Sequence, residues 1–172
     1  NAAPAVSTLS TTPPTTAPVA ATMTPTSECE QDRKTLEVAI EASAGPAAGT
    51  LRAYKISKRF DSDISAVFGA FRLVLDGDRV SDVRLVFGGM AAVVRRAALA
   101  EAALRGQPWS EAAVEAAVAA LARDFTPLTD LRASASYRLQ VAGNLLRRFW
   151  LETRAHDRLP PAALSVWARE TV

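Results

Sequence analysis

Cysteine and histidine occur once each in this chain, as Cys29 and His156. A single thiol cannot close an internal disulfide, and one Cys and one His, 127 positions apart, cannot supply the ligands of a His/Cys zinc site. A Cys–His nucleophile pair is disfavoured because Cys29 sits in a polar, Thr- and Pro-rich stretch that could not hold its geometry. Aromatics are scarce, at 6% against 49% hydrophobic residues overall, so the core must be built from Ala, Val and Leu. No run approaches the roughly 18–20 apolar residues of a membrane span. The opening NAAPAVSTLSTTPP has neither the positive segment nor the continuous apolar segment of a signal peptide. Lys+Arg exceed Asp+Glu by two, 20 to 18, so the pI of about 9.0 reflects many arginines and few lysines rather than a basic face. That balance disfavours a nucleic-acid partner, which would call for clustered excess charge.

What is present divides the 172 residues into three parts. Residues 1–35 are dominated by Ala, Thr, Pro and Ser; such a stretch buries too little apolar surface to offset its ordering entropy and is expected to be a disordered tail. The chain opens on Asn1 rather than Met, which points to residues upstream. Residues 36–154 carry the periodic patterns of a folded domain, and 155–172 form a C-terminal extension.

Within the domain, LEVAIE (36–41) alternates as a short strand does, and Gly45-Pro46 and Gly49 then break it. LRAYKIS is a second strand candidate, with Leu51, Ala53 and Ile56 facing inward. AVFGAFRLVL places Phe71, Leu73 and Leu75 on one face and Arg72 and Val74 on the other. Asp76-Gly77-Asp78 supplies hairpin turn chemistry, and VSDVRLVF returns with Val83, Leu85 and Phe87 inward and Asp82 and Arg84 exposed. After Gly88-Gly89 the period changes to that of helices. A first helix is expected from Arg95 to Leu104, closed by Gly106. A second is capped by Ser110, with Val114, Val118, Leu121 and Phe125 on one stripe, and stopped by Thr126-Pro127. A third spans about 134–152, with Tyr137, Val141, Leu145 and Phe149 in a row. The expected fold is α+β: an antiparallel sheet of three to four strands covered on one face by three helices.

Few features offer chemistry by themselves. The glycine pair of FGGM could cradle a phosphate, but it lacks the spacing of a nucleotide-binding loop and reads as a strand-ending turn. In each of the pairs Arg95-Arg96 and Arg147-Arg148, one guanidinium can be solvated while the stem of the other covers apolar surface. His156 beside Asp157 has no nucleophile motif and reads as a surface histidine.

The order AYKISKRFDSDIS, a hairpin, RLVFGGMAA, an Ala-rich helical pair and DFTPLTDLRASASYRLQVAGNLLRRF resembles the C-terminal domain of the FAD-binding subunit of bacterial xanthine dehydrogenases, shared with the CO dehydrogenase flavoproteins of the molybdenum hydroxylases. The likeness covers about residues 51–154 in five ordered segments. It implies a subunit that passes electrons from iron–sulfur clusters through FAD to NAD⁺. It also implies that the lysine of the aromatic–Lys pair, here Lys55 after Tyr54, contacts the FAD, with the loop Lys58–Asp63 beside the flavin and Asp61 and Asp63 pairing with Lys58 or Arg59. An ammonium so placed would stabilise the negative charge that a flavin gains on reduction.

The family's main FAD-binding portion, with its glycine-rich turns, lies upstream and has no counterpart before residue 51; after FGGMAA this chain reads VVRRA where the family commonly has Thr-Pro-Lys-Arg. The reading is therefore a C-terminal portion or split half of such a flavoprotein, not catalytic alone. FAD would bind only with the upstream portion or a partner, and the molybdenum cofactor and iron–sulfur clusters would lie in partner subunits or domains. The molybdenum-cofactor subunit is the expected partner, in the cytoplasm, with neither nucleic acid nor membrane. The alternatives are a non-catalytic subunit-docking module and the remnant of a truncated flavoprotein gene.

Overall fold

Four strands follow one another as an antiparallel meander in the computed structural model, which describes residues 49–58, 64–160 and 163. They are β1 (Thr50–Ile56), β2 (Val67–Asp76), β3 (Arg79–Gly88) and β4 (Arg95–Arg96), hydrogen-bonded in the order β1-β2-β3-β4. Three helices complete the fold: α1 (Ala98–Leu104), α2 (Glu111–Asp124) and α3 (Ala135–Thr153). This is the α+β sandwich expected from the periodicities. No described helix is long and apolar enough to cross a membrane. The tail, the LEVAIE segment and Cys29 lie outside the described residues.

The β2–β3 hairpin turns on two residues, with Asp76 opposite Arg79. Only Gly77 adopts a left-handed φ there (61°), as a turn with a glycine at its first central position requires. The register shifts between Val74 and Leu75, so Leu75 faces Val80 instead of Ser81. That bulge lets Val80 and Val83, an odd number of positions apart, both reach the core, where both are fully buried. Leu75, placed inward by the sequence pattern, lies at the hairpin tip and is 39% exposed.

On the helix-covered face, Phe71 packs against Tyr54, Phe87 and Phe149 with ring centroids 5.1–5.6 Å apart. The few aromatics are thus concentrated at the sheet–helix seam, and Ala, Val and Leu fill the rest. The opposite face carries a smaller cluster of Phe68, Ala70 and Val86, with Leu51 and Val94 against it. Arg72 is buried on this face and paired with Asp82 at 2.7 Å. Asp82 and Arg84, expected to be solvated, are only half-exposed, because Asp82 also lies within 4 Å of Arg84 and Arg105.

Two boundaries differ from the sequence pattern. The first helix starts at Ala98 and not at Arg95, because Arg95 and Arg96 pair with Phe87 and Val86 and the Ala97 N–H still donates to Leu85 O at 2.8 Å. In β1 the inward residue is Tyr54, with Ile56 half-buried, whereas Ala53 is exposed and Leu51 joins the opposite cluster. Alternation forces the choice: burying the larger Tyr54 ring on the helix side turns Leu51, Ala53 and Lys55 to the other.

Candidate functional site

Lys55 lies one residue from the end of β1, exposed, directly opposite Phe68 of β2. Opposed residues of an antiparallel pair share a face, so its stem rises beside the Phe68–Ala70–Val86 cluster, on the side away from the helices. Its neighbour Tyr54 points the other way and is 7% exposed. The Tyr54 hydroxyl donates to Glu152 Oε2 of α3 at 3.0 Å, and the Arg148 guanidinium lies 5.2 Å over its ring. Glu152 also accepts from Arg148 Nε at 2.7 Å and lies 3.5 Å from Arg52 Nε. Burial, with the Glu152 charge adding to it, raises the Tyr54 pKa well above its usual value, so the hydroxyl remains a donor throughout the physiological range.

Just beyond β1, Lys58 reaches the segment that joins α2 to α3. Lys58 Nζ donates to Leu131 O at 2.7 Å. A cleft of about 450 Å³ opens there between Lys58, Ile64, Ala66, Asp130, Leu131 and Arg132. Lys55 is not among its walls. The expected pairing of Asp61 and Asp63 with Lys58 or Arg59 lies outside the described residues.

Arg138, buried in the first turn of α3, holds this end of the molecule together. Its Nη1 donates to the carbonyls of Ala66, at the start of β2, and Gly89, just past β3, while Nη2 meets Asp130 Oδ1 at 2.6 Å. The Arg132 N–H, then that of Ala133, and the Arg138 guanidinium hold the Asp130 carboxyl at a pKa of about 2. This also answers the question raised by FGGM. Gly89 has φ +78°, and a Cβ there would lie 2.5 Å from Ala66 O and 3.2 Å from Arg138 Nη1. The space a phosphate would need is filled by protein, so the glycine pair ends a strand.

The other sequence candidates resolve individually. Arg96 chelates Glu101, and Arg95 is exposed. Arg147 pairs with Glu115 at 2.6 Å while Arg148 covers Tyr54. His156 is exposed, and the Asp157 carboxylate beside it is engaged by Arg154 at 2.6 Å, so no His–Asp dyad forms. Among the described residues no group of three or more His, Cys, Asp or Glu could hold a metal ion.

Four buried charged residues on the helices escaped the sequence reading: Glu101, Asp124, Arg138 and Glu152. Each lies on the apolar stripe of its own helix, and that was the available signal. Arg138 and Glu152 extend the row of Ala142, Leu145 and Phe149 at its two ends; Asp124 continues Val114, Ala117 and Leu121; Glu101 stands between Ala100 and Leu104.

Residues 52–153 match the CO dehydrogenase flavoprotein C-terminal domain family. The chain belongs to that family. Among curated proteins it is 39% identical over 116 residues to xanthine dehydrogenase of Emericella nidulans, a match covering 62% of this chain and 8% of the enzyme. It is 36% identical over 77 residues to the nicotine 6-hydroxylase medium subunit of Paenarthrobacter nicotinovorans, covering 45% of this chain and 27% of that subunit. Among solved structures, a chain of the carbon monoxide dehydrogenase of Hydrogenophaga pseudoflava, in a form lacking the Mo-pyranopterin moiety of its cofactor, superposes with a TM-score of 0.56 and 32% identity; the match covers 61% of this chain and 36% of that one. The chain therefore corresponds to a small part of each of these proteins, the C-terminal domain of the flavoprotein of molybdenum hydroxylases.

Lys55 lies within the matched segment and is exposed on the sheet face away from the helices. Gly89, the left-handed glycine of FGGM, is closed by the Ala66 carbonyl and Arg138 and offers no room for a pyrophosphate.

Proposed function

We propose that this chain forms one wall of the FAD site in a xanthine dehydrogenase-like molybdenum hydroxylase. When bound, the flavin supplies the relay between iron–sulfur clusters and NAD⁺. In this reading Lys55 presents its ammonium to the flavin from the sheet face opposite the helices and stabilises the negative charge gained on reduction. An upstream portion or a separate partner chain holds the FAD pyrophosphate, and the molybdenum cofactor and iron–sulfur clusters sit in partner subunits or domains. The assembly is cytoplasmic, and the molybdenum-cofactor subunit is this chain's principal partner. The domain alone does not turn over substrate.

The observation that carries the reading is the placement of Lys55: exposed, on the face away from the core, within the matched family segment. A docking module without a flavin role, or a gene remnant, has no comparable feature in its favour. The test is the visible spectrum of the chain after incubation with FAD, recorded alone and assembled with the upstream flavin portion. The assembly should retain FAD, and Lys55→Ala should weaken its retention about tenfold, as expected for loss of one charge-assisted contact. Unchanged retention and an unchanged flavin spectrum in Lys55→Ala would remove Lys55 from the site.

A further inference from the structure

Tyr54 and Lys55 are consecutive residues of β1, the edge strand among the described residues, and point to opposite faces of the sheet. On the described sheet, β1 is hydrogen-bonded on one side only, to β2. Backbone pairing therefore fixes its register but leaves it able to lift or roll about the β2 edge. Tyr54 ties it to the helical layer: its ring packs on Phe71 at 5.6 Å and its hydroxyl reaches Glu152 at 3.0 Å. Arg52 approaches the same carboxylate only at 3.5 Å and from an exposed position, and Ile56 adds a half-buried apolar contact. Glu152 is itself held by Arg148 at 2.7 Å from within α3, so the acceptor is fixed before the tyrosine meets it.

We propose that the Tyr54–Glu152 hydrogen bond is the positioning element for Lys55: it pins the edge strand from the helix side so that the ammonium on the far side has one fixed height over the sheet. This inference rests on Lys55 facing the flavin. Tyr54 acts through Lys55 and touches no cofactor. Its hydroxyl remains protonated throughout the physiological range, so the tether does not vary with pH there.

A double-mutant cycle in the full assembly with FAD tests this, reading the FAD dissociation constant and the flavin reduction potential for the parent, Tyr54→Phe, Lys55→Ala and the double variant. Removing one hydroxyl leaves the ring and the Arg148–Glu152 pair in place, so the fold survives. Tyr54→Phe should weaken FAD binding by about three- to tenfold and lower the reduction potential, in the same direction as Lys55→Ala but less. In the Lys55→Ala background it should change neither quantity, while its small effect on melting temperature persists in both backgrounds. Equal losses of FAD affinity in both backgrounds would overturn the inference, because Tyr54 would then act without Lys55. So would a Tyr54→Phe protein that matches the parent while Lys55→Ala does not, and in that case the flavin reading stands. If Lys55→Ala itself has no effect, the flavin reading fails and the inference fails with it.

Discussion

Arg138 brings a charge into the core, and its surroundings show why it is tolerated. A guanidinium has donors on a rigid fork, and here they meet two backbone carbonyls and a carboxylate supplied by three separate stretches of chain. Arg138→Ala leaves the Ala66 and Gly89 carbonyls without that donor and should destabilise the protein by about 3 kcal/mol, read from urea unfolding followed by tryptophan fluorescence. Arg138→Lys should recover only part of this, because an ammonium cannot reproduce the fork. The Asp130 end of the contact carries a pH signature. Its carboxyl pKa lies at about 2 in the folded protein, below the ordinary value of 3.8. A depressed acid stabilises the fold above its unfolded pKa, and that contribution is lost as pH falls from about 4 toward 2. Asp130→Asn should therefore remove one component of the acid-induced loss of stability while leaving behaviour near neutrality flat. Gly89→Ala should be among the most damaging single-methyl changes. It combines a left-handed φ with a contact of 2.5 Å to a carbonyl, whereas Gly77, with nothing within 4 Å of its would-be Cβ, should cost only about 1 kcal/mol as Ala.

The helices show how far an element can be read from its residues. Ser110 and Ser134 cap α2 and α3 as their positions suggest, accepting from Ala113 N at 3.4 Å and Tyr137 N at 3.2 Å. The start of α1 could not be read in this way. Its own N-cap residue, Ala97, offers no side-chain acceptor, and the role falls to Asp124 at the far end of α2, which accepts from Leu99 N at 3.0 Å and Ala100 N at 2.9 Å. A cap borrowed from 25 residues away leaves no local trace. Glu101 does the same for the sheet: where β4 ends, its carboxylate takes the Leu85 N–H at 2.9 Å in place of the next ladder carbonyl. Asp124→Ala should cost about 2 kcal/mol, about twice the effect of Ser110→Ala, because it strips two amides, one of them buried. The hairpin was readable because turn residues and alternation are local. The inward face of β1 was not, since LRAYKIS offers apolar candidates on both faces and only the helix above it decides that Tyr54 goes in. Of the proposed site, Lys55 was put forward through family likeness alone, whereas Glu152, which lies 98 positions from Tyr54, left no signal that could link the two.

At the scale of the whole molecule, the two faces of the sheet have separate duties. The helix side holds the main core, with Phe71, Phe87, Leu85 and Phe149 fully buried in it, and the far side holds Lys55 beside a small apolar cluster. The domain therefore folds around one main layer interface, and its match to only 8% of the fungal enzyme and 27% of the bacterial subunit marks it as one part of such proteins.

The alternation of β1 has a consequence for how such a domain can diverge. Exposed side chains of β1 on the far face contribute little to folding, so substitutions at Lys55 should shift stability by no more than about 0.5 kcal/mol. Substitutions at buried Tyr54, one residue earlier, are constrained by the core. Selection can therefore retune the electrostatics of one face by single exposed substitutions while the adjacent buried positions preserve the scaffold, and a lineage can alter what that face meets without first having to find a new way to fold.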